Sequence, residues 1–93
     1  PVNNPNTIAD GLKTSLGDKT FKIIVNGAHD VVTVTEKEII DSMKLIWERL
    51  KIICEPSCSL PLAVVLKNKS KYQNKSVGLI LTGGNVDLLN LPF

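Results

Sequence analysis

Apolar and polar positions change their period along this chain, and the changes divide it into elements. Residues 1–6 are polar and proline-punctuated, which reads as an extended connecting tail. Thr7 can cap a short helix to about Ser15, with Ile8 and Leu12 as its buried pair and Gly17 as its stop. Residues 21–25 are short and rich in branched side chains, the signature of a strand, and Asn26-Gly27 signals a turn after it. Residues 31–34 read as a second strand. The strongest local pattern follows: Thr35-Glu36-Lys37-Glu38 has the form of a capping box. Ile39, Met43, Ile46, Trp47, Leu50 and then Ile53 or Cys54 recur at steps of three and four, while Asp41, Lys44, Glu48 and Lys51 fill the other side. This pattern predicts an amphipathic helix of about five turns that ends before Pro56.

Residues 57–66 are apolar and predict a second, buried helix. Pro61 is its fifth residue, where a proline beyond the first turn costs up to about 3 kcal/mol. Residues 67–75 form a charged loop. Val77-Gly78-Leu79-Ile80-Leu81 is nearly all apolar, the pattern of a strand covered on both faces, and Thr82-Gly83-Gly84-Asn85 closes it. Helix, strand, long helix, helix and strand in this order give an α/β class with a partial parallel sheet, right-handed crossovers and flanking helices. Two or three strands cannot cover the faces of such a sheet. The chain is therefore expected to be one segment of something larger and no complete catalyst by itself, and the absence of an initiating Met points the same way.

Composition narrows the class without naming a chemistry. Hydrophobic residues make up 43% and charged ones 22%, which is globular. Four aromatics, Phe21, Trp47, Tyr72 and Phe93, leave the core to Ile, Leu and Val. The net charge is +2, and the one concentrated run, Lys67-Asn68-Lys69-Ser70-Lys71 with Lys75, reads as a solvated loop. Without a set of stacking aromatics around it, it gives nucleic-acid binding little support. Cys54 and Cys58 fall short of the four ligands of a zinc site and read as reduced thiols of a cytoplasmic protein. No stretch approaches the roughly 20 apolar residues of a membrane span. His29, the only histidine, has no nucleophile or orienting partner near it in sequence, and no catalytic constellation or metal site is expected.

The one site-like feature is the hydroxyl of Thr82 at the carboxyl end of an apolar run, followed by Gly83-Gly84. Open α/β sheets place ligands at such ends. Five colinear segments give it a context: Ile8-Ala9-Asp10-Gly11-Leu12-Lys13, Asp30-Val31-Val32-Thr33-Val34, Trp47-Glu48-Arg49-Leu50-Lys51, Glu55-Pro56-Ser57 and Leu81-Thr82-Gly83-Gly84-Asn85-Val86-Asp87. Together they resemble the C-terminal part of eukaryotic-type serine racemase and its threonine and hydroxyaspartate dehydratase relatives. These are pyridoxal-phosphate enzymes of fold type II, the tryptophan-synthase-β fold, acting on hydroxy amino acids.

The resemblance implies that Thr82 hydrogen-bonds the pyridine nitrogen of the cofactor, that Glu55 lies beside the ring and that Gly83 gives it room. It also implies that Lys51 and Asn85 meet a nucleotide effector near a subunit interface. The family's Schiff-base lysine, substrate loop, tetraglycine phosphate loop and acidic metal-binding stretch all fall upstream of the matching region. Pyridoxal phosphate is thus the cofactor of the family, and this chain alone is expected to bind none. Its expected partner is a second copy of itself or the parent enzyme subunit. The chain departs from the family pattern at Gly27-Ala28-His29-Asp30, at Lys19 and at Cys58-Ser59-Leu60-Pro61-Leu62, where small residues and glycines are usual. Larger groups there should crowd the cofactor pocket or shift the helix. An alternative reading makes the chain a degenerate, stand-alone relative that acts as a protein-binding or regulatory module.

Overall fold

The computed structural model describes residues 4–93, so the first half of the expected tail, residues 1–3, lies outside the described residues. Four helices carry the fold: α1 (Asp18–Gly27), α2 (Glu36–Leu45), α3 (Leu60–Lys67) and α4 (Lys69–Tyr72). A π-helical turn, Ile46–Leu50, extends α2, and 3-10 turns occupy Asp10–Leu12 and Pro56–Ser59. No strand is formed among the described residues, so the partial parallel sheet expected from the sequence is not built within them.

The capping box of α2 forms as its sequence requires. The Glu38 amide donates to Thr35 Oγ1 at 3.2 Å, and the Thr35 amide donates to Glu38 Oε1 at 2.8 Å. Ile39, Met43 and Ile46 then bury one stripe. The helix is shorter than its apolar period suggests. At residues 46–50 the hydrogen-bonding step widens, and Lys51 adopts a left-handed conformation (φ 58°) with its amide bonded to the Trp47 carbonyl at 3.2 Å. The chain then doubles back, and the Trp47 indole donates to the Cys54 carbonyl at 3.0 Å. Cys54 reaches the core by this reversal, whereas Leu50 and Ile53, expected on the helical stripe, are exposed.

Residues 21–25 are helical, not a strand. Phe21, Ile24 and Val25 stand at i, i+3 and i+4 within α1, and Asn26-Gly27 ends that helix instead of forming a hairpin turn. The branched side chains that suggested a strand could serve one only beside a pairing partner, and no strand adjoins them among the described residues. The expected helix from Thr7 to Ser15 is reduced to one 3-10 turn. The Thr7 hydroxyl is turned toward the Glu36 carboxylate, and Ala9 is buried where Ile8 and Leu12 were expected. Gly11 also packs so closely on Ser57 that a Cβ would lie 2.8 Å from its hydroxyl. The single helix expected over residues 57–66 divides into a 3-10 turn and α3, which places Pro61 in the first turn of α3, where proline is tolerated. Within the expected loop of residues 67–75, residues 69–72 form the short α4.

The core differs in kind from the aliphatic one expected. Met43, Ile46, Cys54 and Cys58 are its buried centre, with Trp47, Leu62, Val86 and Leu91 packed around them. The Trp47 ring also meets Phe93 edge to face, centroids 5.4 Å apart, which ties the last residues to the end of α2.

Candidate functional site

The reversal after Lys51 delivers residues 52–55 to the glycine turn. The Glu55 amide donates to the Gly83 carbonyl at 3.0 Å, so three of the expected site residues, Glu55, Thr82 and Gly83, come together. A Cβ on Gly83 would lie 2.5 Å from Glu55 Oε1, and one on Gly84 would lie 2.5 Å from the Ile53 carbonyl oxygen. Neither glycine has a positive φ. They are required here for close approach and not for an unusual backbone conformation. Thr82 is exposed at the start of the turn, where its hydroxyl can donate or accept one bond.

Beside this junction lies a cleft of about 390 Å³, lined by Thr7, Asp10, Glu55, Asn85, Asp87 and Asn90 among others. Asp87 accepts from the Asn90 side chain at 2.7 Å and the Leu89 amide at 3.0 Å, and these bonds hold its carboxyl below the usual range. Three carboxylates, of Asp10, Glu55 and Asp87, face the cleft, and no lysine or arginine lines it. Such a wall disfavours a phosphate. It is not a metal centre either, since no three ligating side chains cluster among the described residues.

Lys51 and Asn85, expected to share an effector, are not brought to one wall. Asn85 lines the cleft; Lys51 does not, and is exposed at the end of the π turn. His29 lines a different groove, together with Pro61. Sequence reasoning missed Thr7, Asp10, Asp87 and Asn90 as cleft residues. The signal was present in the Asp87-Leu88-Leu89-Asn90 pattern, in which an aspartate caps its own turn.

Ser59, one of the groups expected to crowd the pocket, turns away from it. Its buried hydroxyl reaches the Pro56 carbonyl at 2.7 Å and the Ile39 carbonyl at 3.1 Å, tying α2 to the turn that follows Glu55. Cys58 goes into the core. Cys54 and Cys58 are both unbonded thiols, and burial, with the Cys58 thiol close by, pushes Cys54 up to about 11.

Residues 1–83 match the model of the pyridoxal-phosphate dependent enzyme family. The chain is 48% identical over 89 residues to beta-hydroxyaspartate dehydratase of Paracoccus denitrificans, covering 96% of this chain and 28% of that protein. It is 54% identical to serine racemase of Dictyostelium discoideum, covering 94% of this chain and again 28% of the relative. The solved structure of maize serine racemase superposes with a TM-score of 0.86 at 39% identity, over 95% of this chain and 29% of that one. The chain thus spans under a third of these relatives' length, at their C-terminal end. With the Glu55–Gly83 junction formed and the family model matched over most of its length, the chain belongs to the pyridoxal-phosphate-dependent enzymes.

Proposed function

We propose that the chain supplies the C-terminal part of a pyridoxal-phosphate-dependent racemase or dehydratase acting on hydroxy amino acids. The observation that carries this reading is the junction of Glu55 with Gly83, at which an added Cβ would lie 2.5 Å from the Glu55 carboxylate at Gly83 and 2.5 Å from the Ile53 carbonyl at Gly84. A surface this closely fitted, with the Thr82 hydroxyl exposed at its edge, suits the ring end of the cofactor. When bound, pyridoxal phosphate supplies an electron sink for the bond broken at the substrate's Cα. Thr82 meets the pyridine nitrogen with a neutral hydroxyl and so does not hold that nitrogen protonated. Glu55 lies beside the ring, its position fixed through its own amide. The phosphate is held by groups outside the acid-lined cleft, and no lysine lines that cleft to form a Schiff base. In this reading the chain alone is an incomplete catalyst, the Schiff-base lysine and the phosphate loop being supplied by the rest of the enzyme.

In the same reading, residues 77–81 run as a strand of a parallel sheet in the whole enzyme, Lys51 and Asn85 meet a nucleotide effector jointly with a neighbouring subunit, and the enzyme is cytoplasmic. No helix among the described residues is long and apolar enough to cross a membrane. The lysine run gives no support to a nucleic-acid role: Lys67 bonds the Thr33 carbonyl, and Tyr72, the aromatic beside it, is half-buried under Lys71.

The test is a chimera of the Dictyostelium serine racemase in which residues 1–93 replace the matching segment. Thr82→Ala in it should weaken pyridoxal phosphate several-fold, corresponding to about 1 kcal/mol for one hydrogen bond, and shift the cofactor absorbance. Unchanged affinity and spectrum would remove Thr82 from the site. The second reading, a protein-binding module, draws on α1, where Phe21, Ile23 and Val25 are exposed and no residue is buried. It expects Thr82→Ala to be silent and a charge at Phe21 to abolish partner binding.

A further inference from the structure

Cys54 and Cys58 are the chain's two cysteines, and neither has a part in the function proposed above. Both thiols are unbonded and buried, in one cluster with Met43 and Ile46. The backbone brings them together. Glu55 is extended (φ −81°, ψ 163°), and the turn Pro56–Ser59 folds back on it, the Cys58 amide donating to the Glu55 carbonyl at 3.0 Å. The Cys58 side chain thereby returns to that of Cys54 across only three residues. Burial, and then the nearby Cys58 thiol, push the Cys54 thiol up to about 11. Cys58 also falls in the stretch where this chain departs from the family pattern.

The surroundings select what such a pair can do. A zinc ion takes four ligands, and no third ligating side chain joins the two thiols among the described residues. A bound ion would also place charge within a cluster of apolar groups. A disulfide places none there and adds no atoms to a packed core. It needs only that the two sulfurs close to about 2 Å. With no third cysteine in the chain, the product within one molecule is a single cross-link.

Access is the remaining condition. In the closed fold, burial shields both thiols and keeps them protonated, so they are inert there. The segment that carries Cys54 is lightly held, however. It forms no helix, and Ile52 and Ile53 are exposed. Its anchors are the Trp47 indole on the Cys54 carbonyl and the Glu55 amide on the Gly83 carbonyl, each at 3.0 Å. Such a segment opens locally at less cost than global unfolding.

We propose that Cys54 and Cys58 are a redox pair, which closes to an intramolecular disulfide in exchange with a small-molecule disulfide such as oxidised glutathione. One thiol, deprotonated while the segment is open, attacks a sulfur of the small disulfide and expels one thiolate. The second thiol, also deprotonated, attacks the mixed disulfide and expels the other. Two cysteine thiols thus lose two protons and two electrons, and one small disulfide is reduced to two thiols. The cross-link spans Glu55 and so locks the residue whose amide meets Gly83. It stands whether or not the chain serves a pyridoxal-phosphate enzyme.

The experiment equilibrates the purified chain with mixtures of reduced and oxidised glutathione, quenches with acid and measures the mass. The expected product is about 2 Da lighter than the reduced chain, carries no glutathione and keeps its helical circular dichroism. Trp47 fluorescence should fall, because a disulfide quenches an indole beside it and Trp47 packs on this cluster. Amide exchange at Glu55 should slow at least about 10-fold in the oxidised form. Trp47→Phe, which removes the bond to the Cys54 carbonyl, should speed the oxidation several-fold without changing its product. Cys58→Ala should abolish the lighter species. The mass and dichroism of the unsubstituted chain decide the matter even where a variant fails to fold. A chain that stays reduced at every glutathione ratio overturns the proposal. So does a stable glutathione adduct, a disulfide-linked dimer, or a cross-link that forms only with loss of helix. Glu55 exchange as fast in the oxidised chain as in the reduced one overturns the lock.

Discussion

Gly83 and Gly84 fill neighbouring positions for the same reason of space, yet their substitutions should differ. The atom nearest an added Cβ at Gly83 is the carboxylate oxygen of Glu55, the far end of a flexible side chain that can swing aside. At Gly84 it is the backbone carbonyl of Ile53, which moves only if the reversed segment moves. Gly84→Ala should cost about 1–3 kcal/mol in denaturant unfolding, the range for overpacking, and Gly83→Ala distinctly less. Equal costs would mean that the junction is looser than its distances imply. Cys54 makes a second prediction at this scale. Its thiol is fully buried, and its folded value lies near 11 against an ordinary 9.0. The fold thus favours the protonated thiol, a contribution fully present below pH 9 and lost as pH rises toward 11. Stability should fall across that alkaline window, and Cys54→Ala should flatten the fall. In the native chain at pH 8, iodoacetamide should leave Cys54 unmodified, and unfolding should expose it. That Glu55 lies close to the Thr82-Gly83 turn was expected from the family motifs. Their actual link, amide to carbonyl, was not, because a backbone bond between residues 28 apart leaves no trace in side-chain pattern.

At the scale of elements, legibility followed how local each cause is. The capping box of α2 depends on four consecutive residues and formed as written. The end of the same helix depends on where Cys54 can be buried and on the Trp47 indole finding its carbonyl, and the apolar period ran past it. Residues 21–25 were misread for a related reason: branched side chains suit a strand only where a partner strand exists, and at i, i+3 and i+4 they suit a helix as well. The α2 cap carries its own test. Thr35→Ala removes the acceptor for the Glu38 amide and should cost about 1 kcal/mol. The Glu38 carboxyl is lowered chiefly by the Thr35 amide, and the Glu36 carboxyl chiefly by the Thr7 hydroxyl. Depressed carboxyls stabilise the fold above their ordinary value of 4.5, and that contribution disappears as pH falls through the lowered folded values. Acid unfolding should therefore begin below about pH 4.5, and Glu36→Gln should make it shallower.

For the molecule as a whole, the sequence conveyed how much was wanting more clearly than what was formed. An apolar run such as residues 77–81 asks for cover on both faces, and the described residues give it α3 across a groove and nothing beyond. The fold class was legible through the family motifs, while the sheet is not formed among the described residues, since extended segments such as 31–34 and 77–81 become strands only beside a pairing partner. Phe21, Ile23, Val25, Leu88 and Leu89 add further exposed apolar surface. Patches of this kind drive association, so light scattering at micromolar concentration should report a dimer or larger for the purified chain. A monomer with a cooperative thermal transition would show that four helices and a sulfur-rich core suffice.

The π turn at Ile46–Leu50 has a consequence for chain length. A π turn holds one residue more than the α turn it interrupts, so residues 46–50 carry, in effect, one surplus position. Deleting Arg49, an exposed residue in that turn, would let α2 continue as an ordinary helix. Because the π turn absorbs that surplus, the residues after it would keep nearly their present rotation, whereas deleting Lys44 from α2 itself would rotate everything after it by about 100° and shift it by about 1.5 Å along the axis. Without Arg49, Trp47 should still reach the Cys54 carbonyl and Glu55 still meet Gly83. Far-ultraviolet circular dichroism should show helix retained or increased and Trp47 fluorescence should stay in place, while the Lys44 deletion should shift that fluorescence to the red. The turn is thus the one place along this helix where the chain can lose a residue without losing its register.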